Sequence, residues 1–570
     1  MNSLALLGIS SVVLLCGYFL YSRMLAKMLG VDAARPTPAH TLRDDIDYVP
    51  AHPAVLFGHH FAAIAGAGPI VGPVLAAEFG WASVALWILL GCVFIGAAHD
   101  MIALYLSVRH DGKSIGTVIG EILGPKGRLL FLLFCWTALI LVVAEFTRQI
   151  AATFTTNPEI ASASLLFIAE AVLFGLCVYR FRMGVLLSSL VFVPLMFAFV
   201  WIGGLVPIDL VAWGLSPDAA RTAWTLVLLA YCFFASTLPV WLLLQPRDYL
   251  NAYLLYAMMA LGIAGVLFAH PVLQLDAFTS FTAPGRGGVQ MLFPFLFVTV
   301  ACGACSGFHA LVASGTTAKQ LDTEKNIRLV GYGAMLLEGL LAMLALIGVA
   351  ATWNSGTYLA AIRTVAEGGQ GVEPVEMFAG SLAGFCAKVF SFFGAGADAA
   401  AQGVAVAKNF MLLAVSAFLM TSVDAATRLA RFTWQEMFPL GEKPSAARKA
   451  AHNMYSGTAL VVALVAVLLL ANPETAKSLW SNFASANQLL ASLTLFTATL
   501  WLYKNNKNTL VTLVPMCFML ATSLTAVVQL LLKGTGILFA STAAILVLAV
   551  FLLVFGVRSF LSLRRSRQDV

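Results

Sequence analysis

The chain has 570 residues, 60% of them hydrophobic and only 11% charged, with a formal net charge of +6, and its mean hydropathy is +0.91. A soluble protein carries about 25% charged residues to cover its surface, so a soluble multi-domain enzyme is excluded. The basic residues are scattered through short loops between apolar stretches, which is no nucleic-acid footprint.

The first apolar run, 6–22, carries no charge ahead of it; Arg23 and Lys27 follow it. That order is the reverse of a cleavable signal and predicts a retained anchor. Further stretches long enough to span a bilayer as helices lie at 54–78, 81–107, 129–147, 162–179, 184–206, 222–244, 251–270, 291–314, 329–352, 404–427, 454–472, 484–503, 509–532 and 536–557. About fifteen crossings are therefore expected. Cytoplasmic loops carry the Lys and Arg excess. With the N-terminus outside, Arg23, Lys27, Arg109, Lys113, Lys319, Lys325, Arg428 and Arg431 all fall on the inner side. That pattern leaves 376–392 as an outer, non-spanning or re-entrant helix and places the basic tail 558–570 in the cytoplasm.

The second stretch, "LFGHHFAAIAGAGPIVGPVLAAEFGW" from Leu56 to Trp81, places helix-breakers at mid-span. Unwound backbone at membrane depth is tolerated where it lines protein or a cavity, and secondary transporters aim such half-helix ends at substrates and ions. Gly66, Ala67, Gly68, Pro69 and Ile70 are expected to expose amides that bind a carboxylate, helped by the half-helix dipole. Phe61 would help wall the cavity. A second break is expected inside 222–244, at Ser236-Thr237-Leu238-Pro239, with Trp241 beside it. A third polar, glycine-rich span, 291–314, contains Phe308. Counting from 54–78, the first two breaks fall in spans one and six. The count describes an inverted five-plus-five repeat, 54–206 and 222–427, which resembles the leucine-transporter (LeuT-type) fold. One extra span, within 1–30, precedes it and a four-span region, 454–557, follows. In LeuT-type folds a cation lies against the first break; Ala65, Ser306 and Ser314 are the candidates here, and a proton or a serine hydrogen bond can take its place.

Ionisable residues inside spans are costly and are functional candidates. His59, His60 and His309 suit a proton-coupled step, because imidazole changes charge near neutral pH. Asp100 and Asp424 lie near inner span ends, within reach of Arg109 and Arg428. Glu145 stands three residues before Arg148, a spacing that permits an intrahelical pair. Glu170 and Glu338 carry no further signal. Gly66-x-Gly68 is mis-spaced from Gly72 for a dinucleotide loop, and "DGKS" at 111–114 lacks the earlier glycine of a P-loop. An ion gradient then remains as the energy source, with no cofactor. His59, His60, Cys302, Cys305 and His309 have ligand chemistry, but their apolar surroundings weigh against a metal, and the nine cysteines read as buried thiols.

The stretches 35–81, "HDMIALYLSVRHDGKSIG" (99–116), "VAEFTRQIAATF" (143–154), "LPVWLLLQPRDYLNAYLLY" (238–256) and "FPFLFVTVACGACSGFHALVASGTTAKQL" (293–321) resemble the carbon starvation protein A (CstA) family. The resemblance implies a multi-pass transporter of the bacterial inner membrane, importing peptides or pyruvate with protons during nutrient scavenging. It carries the family motif onto His59, His60, Gly66, Gly68, Pro69, Gln245, Pro246, Arg247, Asp248, Ser306 and His309, while Cys305 departs from it. The rival readings are a nutrient sensor without transport, a channel, and a sodium-coupled symporter. Substrate identity and oligomeric state are not legible.

Overall fold

A computed structural model describes residues 2–44, 48–239, 241–285, 288–366, 372–394, 396–439, 445–470, 473–533 and 536–568. The chain is almost wholly helical, as its apolar runs require, since a helix satisfies its own backbone in lipid. In order come α1 (Ser3–Leu29), the bent pair α2 (Pro53–Ile64) and α3 (Gly68–Phe79), α4 (Trp81–Arg109), α5 (Ile115–Thr156), α6 (Pro158–Arg180), α7 (Val185–Leu205), α8 (Pro217–Thr237) and α9 (Leu244–Ala269). A hairpin, Thr282–Gly285 with Gly288–Met291, leads into α10 (Leu292–Thr299) and α11 (Gly307–Gly315). Then follow α12 (Glu324–Thr352), α13 (Pro374–Phe392), α14 (Ala397–Met437), α15 (Met454–Leu470), α16 (Pro473–Lys504), α17 (Leu510–Lys533) and α18 (Gly536–Gln568).

Among the described residues twelve helices are long and apolar enough to cross a bilayer, and bent pairs raise the number to as many as fourteen. The sequence expectation was about fifteen. Two expected spans fall outside that test for physical reasons. The segment 292–315 is split into short helices, and α16 carries Asn482, Asn487, Gln488 and several buried hydroxyls.

The first break stands where expected. α2 ends at Ile64, α3 begins at Gly68 with Pro69 in its first turn, and the two are bent by 45°. Proline has no N–H to donate there and its fixed φ suits a helix start. The second break needs correction. Ser236 to Pro239 does not interrupt a span: α8 ends at Thr237, and α9 begins at Leu244 as a separate helix. Pro239 closes one helix and Pro246 fits the first turn of the next. The second interrupted crossing is instead 292–315, where residues 300–306 are unwound between α10 and α11.

The two interrupted crossings run antiparallel and touch at their breaks; the second is the eighth stretch counted from 54–78, where the sequence count put a break in the sixth. A Cβ on Gly72 would lie 2.6 Å from the Thr299 carbonyl oxygen, and one on Gly68 would lie 2.3 Å from Cys302. Only glycine allows that approach. Two long helices, α5 (42 residues) and α14 (41 residues), pack along each other beside the crossing. α5 is kinked at Gly124, whose φ of +76° is followed by Pro125.

α13 is long and apolar enough to cross by composition, yet both of its ends meet the same face. Phe392 and Phe393 pack on Phe268 at the end of α9, while Glu376 accepts from Asn157 at the end of α5. The end expected for the span 404–427 is also revised. α14 continues to Met437, so Arg428 and Arg431 are buried helix residues. Arg428 donates to the Ala235 and Leu238 carbonyls, at 2.8 and 2.6 Å, where the α8 dipole is negative.

Candidate functional site

α11 starts immediately after the second unwound stretch, which places His309 in its first turn, fully buried. Its Nδ1 is 2.7 Å from Asp100 Oδ2 on α4, and its Nε2 is 3.3 Å from Glu338 Oε2 on α12. Asp100 Oδ1 is 2.7 Å from His99 Nδ1. All four side chains are inaccessible to solvent. An imidazole held between two carboxylates is a two-sided station for a proton, and such a set titrates as a unit. Arg109, expected beside Asp100, pairs with Glu324 instead, at 2.9 Å.

Glu338 was the least informative acid in the sequence, and the fold makes it central. No local spacing links it to His309; only the packing of α12 against the core brings them together. The ligand atoms of Cys302, His309 and Glu338 all lie within 4.8 Å of one another. That triple is a cluster of donor atoms around the His309 ring, which Asp100 holds from its other side. It replaces the grouping with His59, His60 and Cys305 considered from sequence.

His59 and His60 diverge, as neighbours on a helix must. His60 Nδ1 is 2.9 Å from Thr317 Oγ1, and His59 Nδ1 is 3.1 Å from Asp248 Oδ2. Asp424, expected near Arg428, is bound by the fully buried Arg247 and by the Tyr231 hydroxyl, the latter at 2.7 Å. Glu145 meets Arg148 at 2.7 Å and Gln149 at 2.8 Å.

The amide cradle is present but covered. Ile70 N donates to Ala67 O at 3.0 Å, so it is not free; among the described residues Ala67 N and Gly68 N have no backbone acceptor. Cys302 lies directly against Gly68, and Phe146 and Ser422 against Gly66. Phe61 is buried and stacks on Tyr256. Ala65, Ser306 and Ser314 do not converge. Ser306 is bound by Asn487 at 3.0 Å, whereas Ser314 bonds Ala310 O and accepts from Ile115 N. The hydroxyl beside Gly66 is that of Ser422, which the sequence reading missed. Ser236 meets Thr458 at 3.3 Å, Thr237 bonds back to Phe233 O, and Trp241 lies half-exposed against Tyr179. These three stand at the α8–α9 connection, away from the interrupted crossings.

Cavities follow one face of α5. Among the basic loops lies a cavity of about 610 Å³, bordered by Lys113, Arg128, Ser314, Lys319 and Glu436. Leu311 also belongs to a closed neck formed with Leu139, Val142, Phe308, Asn487 and Leu490, which holds no water-sized space. Beyond it, towards the opposite face, Val71, Glu145, Arg148, Glu373 and Trp480 border a pocket of about 20 Å³. Asn487, on α16, was also missed. Its Oδ1 accepts from Phe308 N at 2.8 Å and so caps α11. The signal was present: an Asn-Gln pair in an otherwise apolar span.

The chain has known relatives. The sequence profile of a family described as Carbon starvation protein CstA matches residues 2–526. "Peptide transporter CstA" of Escherichia coli (strain K12) is 34% identical over 566 residues, covering 92% of this chain and 80% of that protein. "Peptide transporter CstA" of Bacillus subtilis (strain 168) is 34% identical, covering 92% and 89%. "Pyruvate/proton symporter BtsT" of Escherichia coli (strain K12) is 33% identical, covering 89% and 79%. Among solved structures, the crystal structure of MhsT in complex with L-phenylalanine aligns at 12% identity with a TM-score of 0.46, covering 88% of this chain and 98% of that one.

Proposed function

Since the chain belongs to the carbon starvation protein CstA family, we propose that it is a proton-coupled secondary transporter of the bacterial inner membrane, importing peptides or a small carboxylate such as pyruvate. One observation carries this reading: two interrupted helices cross over a buried Asp100–His309–Glu338 set, with a wide cavity on the basic-loop face and a closed neck above it. Taking the basic loops as cytoplasmic, the N-terminus lies outside, the C-terminus inside, and this conformation opens inward.

The chemistry follows from the geometry. A substrate carboxylate binds the Ala67 and Gly68 amides when the Cys302 stretch moves off them. That movement shifts α11, because Cys302 lies in the unwound stretch that leads directly into it. Shifting α11 alters the distances from His309 to Asp100 on α4 and to Glu338 on α12. Protonation of the set therefore favours one arrangement of α11 and deprotonation another. An ion gradient moves a substrate only through such differential stabilisation of two states. No cofactor is invoked, and the partners are substrate, proton and lipid bilayer.

The test is uptake into proteoliposomes of labelled pyruvate, lactate, and di- and tripeptides, each competed against the others. Accumulation against a gradient is expected for one class, driven by an inward pH gradient and abolished by a protonophore. Binding without uptake would indicate a sensor, and uptake that never exceeds equilibrium would indicate a channel. Uptake that survives the protonophore but needs sodium would move the coupling ion to Ser422 and the Gly66 break, where among the described residues the hydroxyl has no hydrogen-bond partner.

A further inference from the structure

The basic-loop face carries a second cavity of about 240 Å³ that shares no lining residue with the larger one. The wall between them is thin and specific. Tyr48 and Lys319 face the large cavity while their neighbours Val49 and Gln320 face the small one, and Ala51 N is tied to Gln320 O at 2.9 Å. The large cavity continues through Leu311 to the neck. The small one ends on His59.

His59 is about a tenth exposed, and the partner of its Nδ1, Asp248, is buried. Among the described residues His59 Nε2 and Asp248 Oδ1 have no hydrogen-bond partner, nor has Nε2 of the adjacent His60. Buried polar atoms are rarely left unpaired, and each exception calls for a reason. The titratable groups around His59 are thus Asp248 on α9, His60 beside it, and His52, Tyr179 and Tyr249 from the cavity wall; Arg247 is turned away to Asp424.

We propose that the small cavity is a proton vestibule separate from the substrate route, in which the His59–Asp248 pair exchanges a proton with the cavity's water and so ties α2, which leads into the first break, to α9. The step is a proton transfer alone: H⁺ passes between the cavity water and the His59–Asp248 pair, and only N–H and O–H bonds are made and broken. The assignment rests on the proton-coupled reading above.

The experiment separates the two routes. In the full-length chain, Val55→Cys lines the small cavity and Lys113→Cys the large one. Each is labelled with a bulky, impermeant thiol reagent from the basic-loop side, beside labelled wild type. Two rates are read: pH-gradient-driven accumulation, and exchange of labelled for unlabelled substrate at equal pH. Labelling V55C is expected to slow accumulation at least about tenfold while exchange continues; labelling K113C is expected to stop both. His59→Gln is expected to reproduce the labelled V55C behaviour. Loss of both rates in labelled V55C would make the small cavity part of the substrate route, and no loss of either would remove it from proton movement; both outcomes overturn the assignment. Wild-type uptake that ignores a protonophore would overturn the proton-coupled reading itself, before any variant is compared.

Discussion

Gly68 shows how little slack the crossing has. Any Cβ there would stand 2.3 Å from Cys302 Cβ and Sγ, so Gly68→Ala is expected to lower stability by roughly 1–3 kcal/mol, the usual cost of overpacking, and to cut uptake. Cys302→Gly in the same chain should recover part of the stability, because contacting sites couple; thermal unfolding in detergent measures it, and strict additivity would show that the two do not touch. Arg247 and Asp424 behave differently. Both are buried, so Arg247→Met alone should cost about 3–5 kcal/mol by stranding a carboxylate, whereas Arg247→Met with Asp424→Leu should cost less. The same unfolding assay reads the difference, and an equal loss in single and double variants would argue against the pair. At this scale the sequence is legible only where partners are local. Glu145 and Arg148 could be paired from a spacing of three. Glu338, Asp248 and Ser422 could not, since their partners lie on other helices.

The helices tell a more even story. Proline marked the first break correctly, since its missing N–H acts locally. It misled at Pro239, where the same property ends a helix instead of interrupting a span. The second interruption, 300–306, contains no proline; it is unwound by small residues packed against the first, which only the crossing itself reveals. Its far end is held by Asn487, whose Oδ1 accepts from Phe308 N and whose Nδ2 donates to Ser306. Asn487→Ala should cost about 1 kcal/mol as a lost cap and reduce uptake, whereas Asn487→Asp should keep the cap and still accept from Ser306 Oγ, losing only the Nδ2 donation. Equal uptake defects in both variants would show that the cap is not what matters. The region 454–557 is thus no appendage, because α16 contributes to the neck.

Across the whole molecule the cavities describe one state of a cycle. The wide cavity lies among the basic loops, and the pocket on the other side is nearly shut. Lys113→Cys should therefore react with an impermeant thiol reagent faster than Thr153→Cys in substrate-free protein. An inward substrate gradient should narrow that difference, since alternating access shifts populations rather than opening a pore; simultaneous reactivity of both positions at all times would indicate a channel. Hydropathy alone was enough to decide that this chain is a multi-span helical bundle with an interrupted crossing near Gly66, because the demand that every backbone group be satisfied in lipid acts on each segment separately. Which polar side chains meet, where the second interruption lies and how two cavities divide one face were settled only by packing, because burial cost is relieved by partners far away in the chain that no local pattern can name.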